Sequence, residues 1–293
     1  NQIDKEMNFG KQLWKASETP SRLKNYLQVA WDIILFVALV ILIYVVISLP
    51  VGSIMKGQDS AQLDGMLFLI VDEAMLMVAV LAAVFLVLRF RKMPLRVFRP
   101  VIKWQDIFLM IYFAGFWICM VTGAVQVIEQ QVNPGYLGLT ALFFLLVAVT
   151  EEMAMRGFVL GRLLDYGINK FWALFISSLL FSLMHLFNPH FAFIPFLNII
   201  LAGFMLGASF IYTRNLVFSI TAHLLWNWVQ GPVFGFQVSG LHFADSCFTL
   251  ELSGSSLING GSFGFEGSLV CTVLIIVITL ILIKQYSETY LRY

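Results

Sequence analysis

The chain has 293 residues, 60% of them hydrophobic and 12% charged, and its mean hydropathy is strongly positive. So much apolar side chain excludes an ordinary soluble domain and predicts a multi-span membrane protein. The net charge of +1 gives no reason to expect a nucleic-acid partner; basic clusters beside apolar runs suit anionic lipid instead.

Windows of roughly 18 to 25 apolar residues predict spans, in chain order, near Val29–Leu49, Gly65–Leu88, Ile107–Ile128, Leu137–Leu160, Phe171–Phe187, Phe193–Tyr212, Leu216–Phe236 and Ser268–Ile283. The expected fold is all-α, a multi-pass transmembrane helix bundle of about eight spans forming a single integral-membrane domain over residues 1–293. A closed barrel would instead show alternating segments of about ten residues. The polar first 25 residues hold no short apolar core of a cleavable signal peptide, so the first span is expected to be the targeting element.

The 18 Lys and Arg residues are unevenly placed, and cytoplasmic loops collect such residues. Lys5, Lys11, Lys15, Arg22 and Lys24 precede the first span; Arg89, Arg91, Lys92, Arg96, Arg99 and Lys103 follow the second. Arg162 and Lys170 follow the fourth, Arg214 the sixth, and Lys284 and Arg292 the last, whereas the opposite loops hold only Lys56. Both termini are therefore predicted cytoplasmic.

Between these elements, Asp72 and Glu73 stand near the start of the second span and are expected at the membrane interface. Gly203 and Gly207 make a GxxxG spacing that permits close helix approach. The Gly-, Ser- and Phe-rich stretch Gln237–Gly267 is expected on the outer side, either as a cap or re-entrant segment or, in the favoured reading, as a poorly ordered connector. Cys119, Cys247 and Cys271 form no metal or redox spacing.

The fourth span carries the chemistry. Glu151 and Glu152 lie in an otherwise apolar segment, where a charged side chain costs about 2.5–3.5 kcal/mol and usually marks a working site. Residues four apart share a helix face while neighbours differ by about 100°, so Glu152 can pair with Arg156 and Glu151 is left without a local cation. A desolvated, unpaired carboxylate can take a proton near neutral pH, as a general base must. His223 and Asn227, also four apart, present donors that could hold an oxyanion, and His185 supplies a second imidazole that could share a water with Glu151. The reaction class suggested is hydrolysis of an acyl bond. Each feature also has a structural reading: Glu152 with Arg156 as a buried packing pair, His185 as a satisfied core histidine, Asn227 as a helix bridge. His190 and His242 are read as solvated.

The stretches EEMAMR at Glu151–Arg156, FSLMH at Phe181–His185 and HLLWN at His223–Asn227 resemble the EExxxR, FxxxH and HxxxN motifs of the CPBP intramembrane proteases, the group of Rce1-type CaaX prenyl proteases and bacterial Abi-type proteins. The resemblance covers residues 137–236, the expected catalytic core spans. It implies a membrane endopeptidase, in a bacterial cell membrane, acting on a membrane-tethered and possibly prenylated CaaX-type peptide or protein. Within it Glu151 looks like the base that activates water with His185, His223 and Asn227 like the oxyanion hole, and Glu152 with Arg156 like their support.

No cofactor is expected. Glu and His can ligate zinc, but HExxH is missing, and a glutamic mechanism is favoured over a zinc-dependent one. Two other classes stay open: a proton-coupled transporter, for which inverted repeats would speak, and a non-catalytic membrane scaffold or bacteriocin-immunity protein. On straight helices His185 falls nearer the outer side than Glu151 and His223, so tilt, a kink or a shifted fifth span must bring the three together.

Overall fold

In lipid, backbone N–H and C=O groups must be satisfied within the segment, which makes long apolar runs helical. The computed structural model describes residues 22–55, 62–91 and 111–291. Lys5, Lys11, Lys15, Lys56, Lys92, Arg96, Arg99, Lys103 and Arg292 of the basic pattern, and residues 107–110 of the third expected span, lie outside the described residues.

The described chain runs through α1 (Arg22–Met55), α2 (Gln62–Phe90), α3 (Ile111–Val121) and strand β1 (Val125–Gln130). Helix α4 (Pro134–Glu152) continues through a π-helical stretch (Met153–Leu160) into α5 (Gly161–Asp165). Then come α6 (Lys170–Met184), α7 (Phe193–Thr213), α8 (Val217–Trp228) with a second π stretch (Val229–Val233), β2 (Phe248–Leu252), the short α9 (Ser256–Asn259) and α10 (Leu269–Leu291).

Five segments among the described residues are long and apolar enough to cross a membrane: Leu23–Leu49, Gly65–Phe90, Pro134–Asp165, Phe193–Thr213 and Leu269–Thr289. Only 11% of the apolar window of α1 is buried inside the protein. Ile34, Ile41 and Leu42 point outward, which in water would be an aggregating face and in a bilayer is the lipid contact.

The other three expected spans are not among these five, which are drawn from the described residues alone. Helix α3 stops at Val121, and Gly123, with φ +68°, turns the chain into β1. The window Ile107–Ile128 therefore joined a helix to a strand, and the alternating VQVIEQ of β1 was the overlooked signal. Helix α6 has 15 residues, about 22 Å at ~1.5 Å each against ~30 Å of hydrocarbon. Helix α8 has 12 residues before Pro232, which has no N–H and crowds the carbonyl four residues back, and the helix widens into its π stretch.

The bundle has two chemically distinct ends. At one, buried Asp32 of α1 is paired with both Arg162 and Arg91, the Arg91 Nε lying 2.9 Å away. Asn25 donates to the Tyr166 carbonyl at 3.2 Å, Arg214 meets Asp165 at 3.1 Å, and Tyr212 stacks on Tyr286. These contacts place the start of α1 and the end of α10 at the same end. At the other, β1 and β2 pair antiparallel, Val125 opposite Leu252, with a bulge between Val127 and Glu129.

The stretch 237–267, expected as a loose connector, is instead a folded cap over this second end. Phe243, Phe263 and Phe265 are buried in it. Glu266 accepts the Trp226 indole N–H at 2.7 Å and the Ser239 N–H at 3.0 Å, while the Asn198 amide donates to the Glu266 carbonyl at 2.7 Å. The apolar anchors were visible in the sequence, but a count of Gly and Ser hid them.

Helices α6 and α7 pack closely, as the GxxxG spacing implies. A Cβ on Gly203 would lie 2.6 Å from the Ser178 Cβ, and one on Gly207 2.4 Å from a Leu174 methyl. Side-chain hydroxyls fasten the interior: Ser177 donates to the Met155 carbonyl at 2.9 Å, Ser182 to Phe196 at 2.9 Å and Ser219 to Leu206 at 2.7 Å. Such bonds matter where no hydrophobic effect separates helix from lipid.

Candidate active site

Asn133 caps α4 by accepting the Tyr136 N–H at 3.1 Å, and Pro134 takes the first helical turn, where its missing N–H costs nothing. The helix then holds regular geometry as far as Glu152 and widens at Met153, with the Gly161 N–H reaching back five residues to the Arg156 carbonyl. Such an expansion rotates the faces that follow and is frequent at functional sites. A second one opens directly after the HxxxN helix, at Val229–Val233, so irregular turns adjoin two of the three motifs.

The expected pair is present. Arg156 Nη1 donates to Glu152 Oε1 at 2.8 Å, with the side chains 1% and 0% exposed. Arg156 also reaches the Gly203 carbonyl at 3.4 Å, and its guanidinium lies 4.3 Å from the Phe181 ring centroid. No water can screen a pair sealed this well, so each charge depends on the other.

His223 joins the two acids. Its Nδ1 is 2.9 Å from Glu152 Oε1 and its Nε2 is 3.7 Å from Glu151 Oε2. Because an Arg-paired carboxylate only accepts, Nδ1 carries a proton. Neutral His223 then offers a bare Nε2, and only the doubly protonated ring can donate from that atom. Glu151⁻, Glu152⁻, Arg156⁺ and His223⁺ would sum to zero charge. Glu151 is 20% exposed at its side chain while Glu152 has no exposure, so solvent meets Glu151 alone of the pair. Asn227, four residues along α8, is buried and none of the hydrogen bonds among the described residues involves its amide.

His185 stands apart from the acids. It caps the end of α6 and donates from Nδ1 to the Phe181 carbonyl at 2.8 Å, which leaves a bare Nε2 on the neutral ring. No hydrogen bond or ion pair links it to Glu151 among the described residues. Phe181 nevertheless stands between the imidazoles, its centroid 4.9 Å from His185 and 6.0 Å from His223. Helix α6 stops at Met184, directly before His185. His190 lies in the turn after α6 with φ +58°.

Two residues of this region escaped the sequence reading. Phe181 is the common floor under Arg156, His185 and His223; an aromatic in an apolar helix carries no functional signal alone, though its motif position did. Glu73 lies on α2 within the candidate span Gly65–Phe90. Asp72, beside it, accepts the Tyr44 hydroxyl at 2.5 Å.

Zinc would require three convergent ligands. Among the described residues no such group of His, Cys, Asp or Glu forms, and Glu152 Oε1 and His223 Nδ1 are engaged with each other, so no step is derived through a metal.

A helical bundle that holds two carboxylates, a guanidinium and an imidazole within long apolar helices is an integral membrane protein with a polar centre. Residues 133–229, which hold all three motifs, match the family described as type II CAAX prenyl endopeptidase Rce1-like, in agreement with the resemblance drawn from the motifs. No curated protein and no solved structure matches the chain significantly.

Proposed function

We propose that this protein is an intramembrane endopeptidase that cleaves a membrane-tethered peptide or protein terminus, of the prenylated CaaX type named by its family, using water activated by Glu151. The observation that carries this reading is the difference between adjacent carboxylates: Glu152 is sealed against Arg156 and His223, while Glu151 keeps solvent access.

In the mechanism, Glu151 takes a proton from water as its oxygen attacks the scissile carbonyl. His185, with its bare Nε2, accepts a hydrogen bond from the same water and orients it. The oxyanion is held by the Asn227 amide and by protonated His223 through Nε2. Glu152 fixes the His223 ring through Nδ1 and Arg156 fixes Glu152. Glu151 then returns its proton to the leaving amine, so the site ends as it began. No metal is assigned a part. About eight membrane passages with both termini cytoplasmic fit the described basic residues gathered at the end shared by α1 and α10.

The test is cleavage of a fluorogenic farnesylated CaaX peptide by the full chain in proteoliposomes. Glu151→Gln should keep the fold, since Glu151 makes a single long contact of 3.7 Å, and lose about 10²–10⁴-fold in kcat. Undiminished hydrolysis by that variant would remove Glu151 as the base. A fully folded wild type that cleaves no lipidated peptide would remove the peptidase reading.

A further inference from the structure

His185 follows α6 while His223 and Asn227 belong to α8, and inside the bundle the two imidazoles meet across the Phe181 ring, a contact that fills space without fixing direction. A directional connection runs through the cap. The Asn188 N–H closes the turn after α6 by donating to the His185 carbonyl at 2.9 Å, and the Asn188 side-chain amide donates to the Ser239 carbonyl at 3.2 Å. Ser239 gives both its N–H and its hydroxyl to Glu266 Oε2, at 3.0 and 2.9 Å. The other oxygen, Oε1, takes the Trp226 indole N–H at 2.7 Å.

The backbone is shaped for this connection. Ser239 holds φ +50°, a left-handed conformation that L residues rarely adopt, while both its donors converge on one Glu266 oxygen. Beside it Gly240, at φ +85°, lets the Pro189 carbonyl come so close that a Cβ would lie 2.2 Å from its oxygen. Phe191 meets the buried Phe263 edge-on, their centroids 6.2 Å apart, so the turn that carries His185 is seated on the cap. Glu266 is the hub, with two accepting oxygens serving three donors from two segments. Glutamine has the same shape but one acceptor and one donor end, so in its place one arm would set a donor against a donor.

We propose that Asn188, Ser239 and Glu266 are positioning residues, a hydrogen-bonded bridge through the cap that sets His185 on its turn against His223 and Asn227 on α8. The bridge touches no reacting atom. It fixes the distance between the ring that orients the water and the donors that receive the oxyanion, a separation that the Phe181 contact alone leaves loose. The catalytic consequence rests on the peptidase reading above; the bridge itself does not.

Two measurements on the full chain separate them. In lipid nanodiscs with histidine isotope-labelled at Cε1, the 4 histidines of the chain give one ring signal each in NMR spectra, assigned by replacing each in turn. Glu266→Gln should move the His185 and His223 signals together; Asn188→Ala should move that of His185, and in its background Glu266→Gln should move His185 no further. A His185 signal that stays in place in Glu266→Gln, or that moves equally with and without Asn188, overturns the bridge whatever the protein cleaves. With the farnesylated fluorogenic peptide, each single variant should lower kcat about 10–100-fold at unchanged KM, and the double variant should lose little more than Glu266→Gln alone. Losses that multiply, or that fall on KM, overturn the positioning role. If Glu266→Gln does not fold, Asn188→Ala, at a half-buried residue of the turn, carries both readouts, and an unmoved His185 signal or a wild-type kcat in it overturns the proposal. Failure of the wild type to cleave the peptide counts against the peptidase reading alone, and the spectra then decide the bridge.

Discussion

Replacing Arg156 by Met leaves its neighbour stranded. Glu152 has no exposure and takes both of its bonds at one oxygen, from Arg156 at 2.8 Å and from His223 at 2.9 Å. Methionine retains much of the arginine volume but no charge, so the substitution costs about 3–5 kcal/mol, the usual penalty for an uncompensated buried ion. Removing the ion as well should recover most of this. In Glu152→Met with Arg156→Met the His223 Nδ1–H and the Gly203 carbonyl lose their partners, a loss of about 1–3 kcal/mol for the buried donor. The cycle thus predicts a coupling of at least about 2 kcal/mol, read from SDS unfolding in mixed micelles by far-UV circular dichroism. Cleavage should not return with stability, because the His223 ring is no longer held. Single and double variants whose costs simply add would refute the reasoning, since they would mean that water already reaches the pair.

Asn227→Ala should separate stability from activity: its amide bonds to nothing among the described residues, so unfolding shifts by less than about 1 kcal/mol while kcat falls about 10²–10³-fold, and an equal loss of both would make it a helix bridge instead. Gly203→Ala should cost about 1–3 kcal/mol, as its Cβ would press on the Ser178 backbone at 2.8 Å, whereas Gly157→Ala meets only a movable Leu216 methyl at 3.2 Å and should be near neutral; the ranking is checked by thermal unfolding in detergent. Glu266→Ala strands the Trp226 indole and the Ser239 N–H, about 1–3 kcal/mol for each unsatisfied donor, and should expose the cap to limited proteolysis before the bundle unfolds.

The sequence spoke most clearly where chemistry and environment clash. Glu151, Glu152 and Arg156 stood out because an apolar run tolerates such residues poorly, and the Glu152–Arg156 pair follows directly from helical spacing. Apolar count could not tell Ile111–Val121 plus a strand from one long helix, since both are equally greasy; only the alternation in Val125–Gln130 distinguished them. The π stretch at Met153–Leu160 has no one-dimensional signature, and its effect on which way Arg156 points is a matter of packing against α6 and α7. The cap at 237–267 was hidden by composition: buried Phe side chains spaced among glycines fold by long-range contact, which a local window does not register.

Trp226 lies between His223 and Asn227 on α8, and its indole is tied from outside the bundle by Glu266. A helix turns by about 100° per residue, so a slight roll of α8 about its own axis would swing the imidazole and the amide away from any common target. The tether acts as a keyway against that roll, and it makes the aim of both side chains hostage to the cap. Anything that pulls on Phe263–Gly267, a passing substrate chain included, is thereby geared to the helix that would receive the negative oxygen.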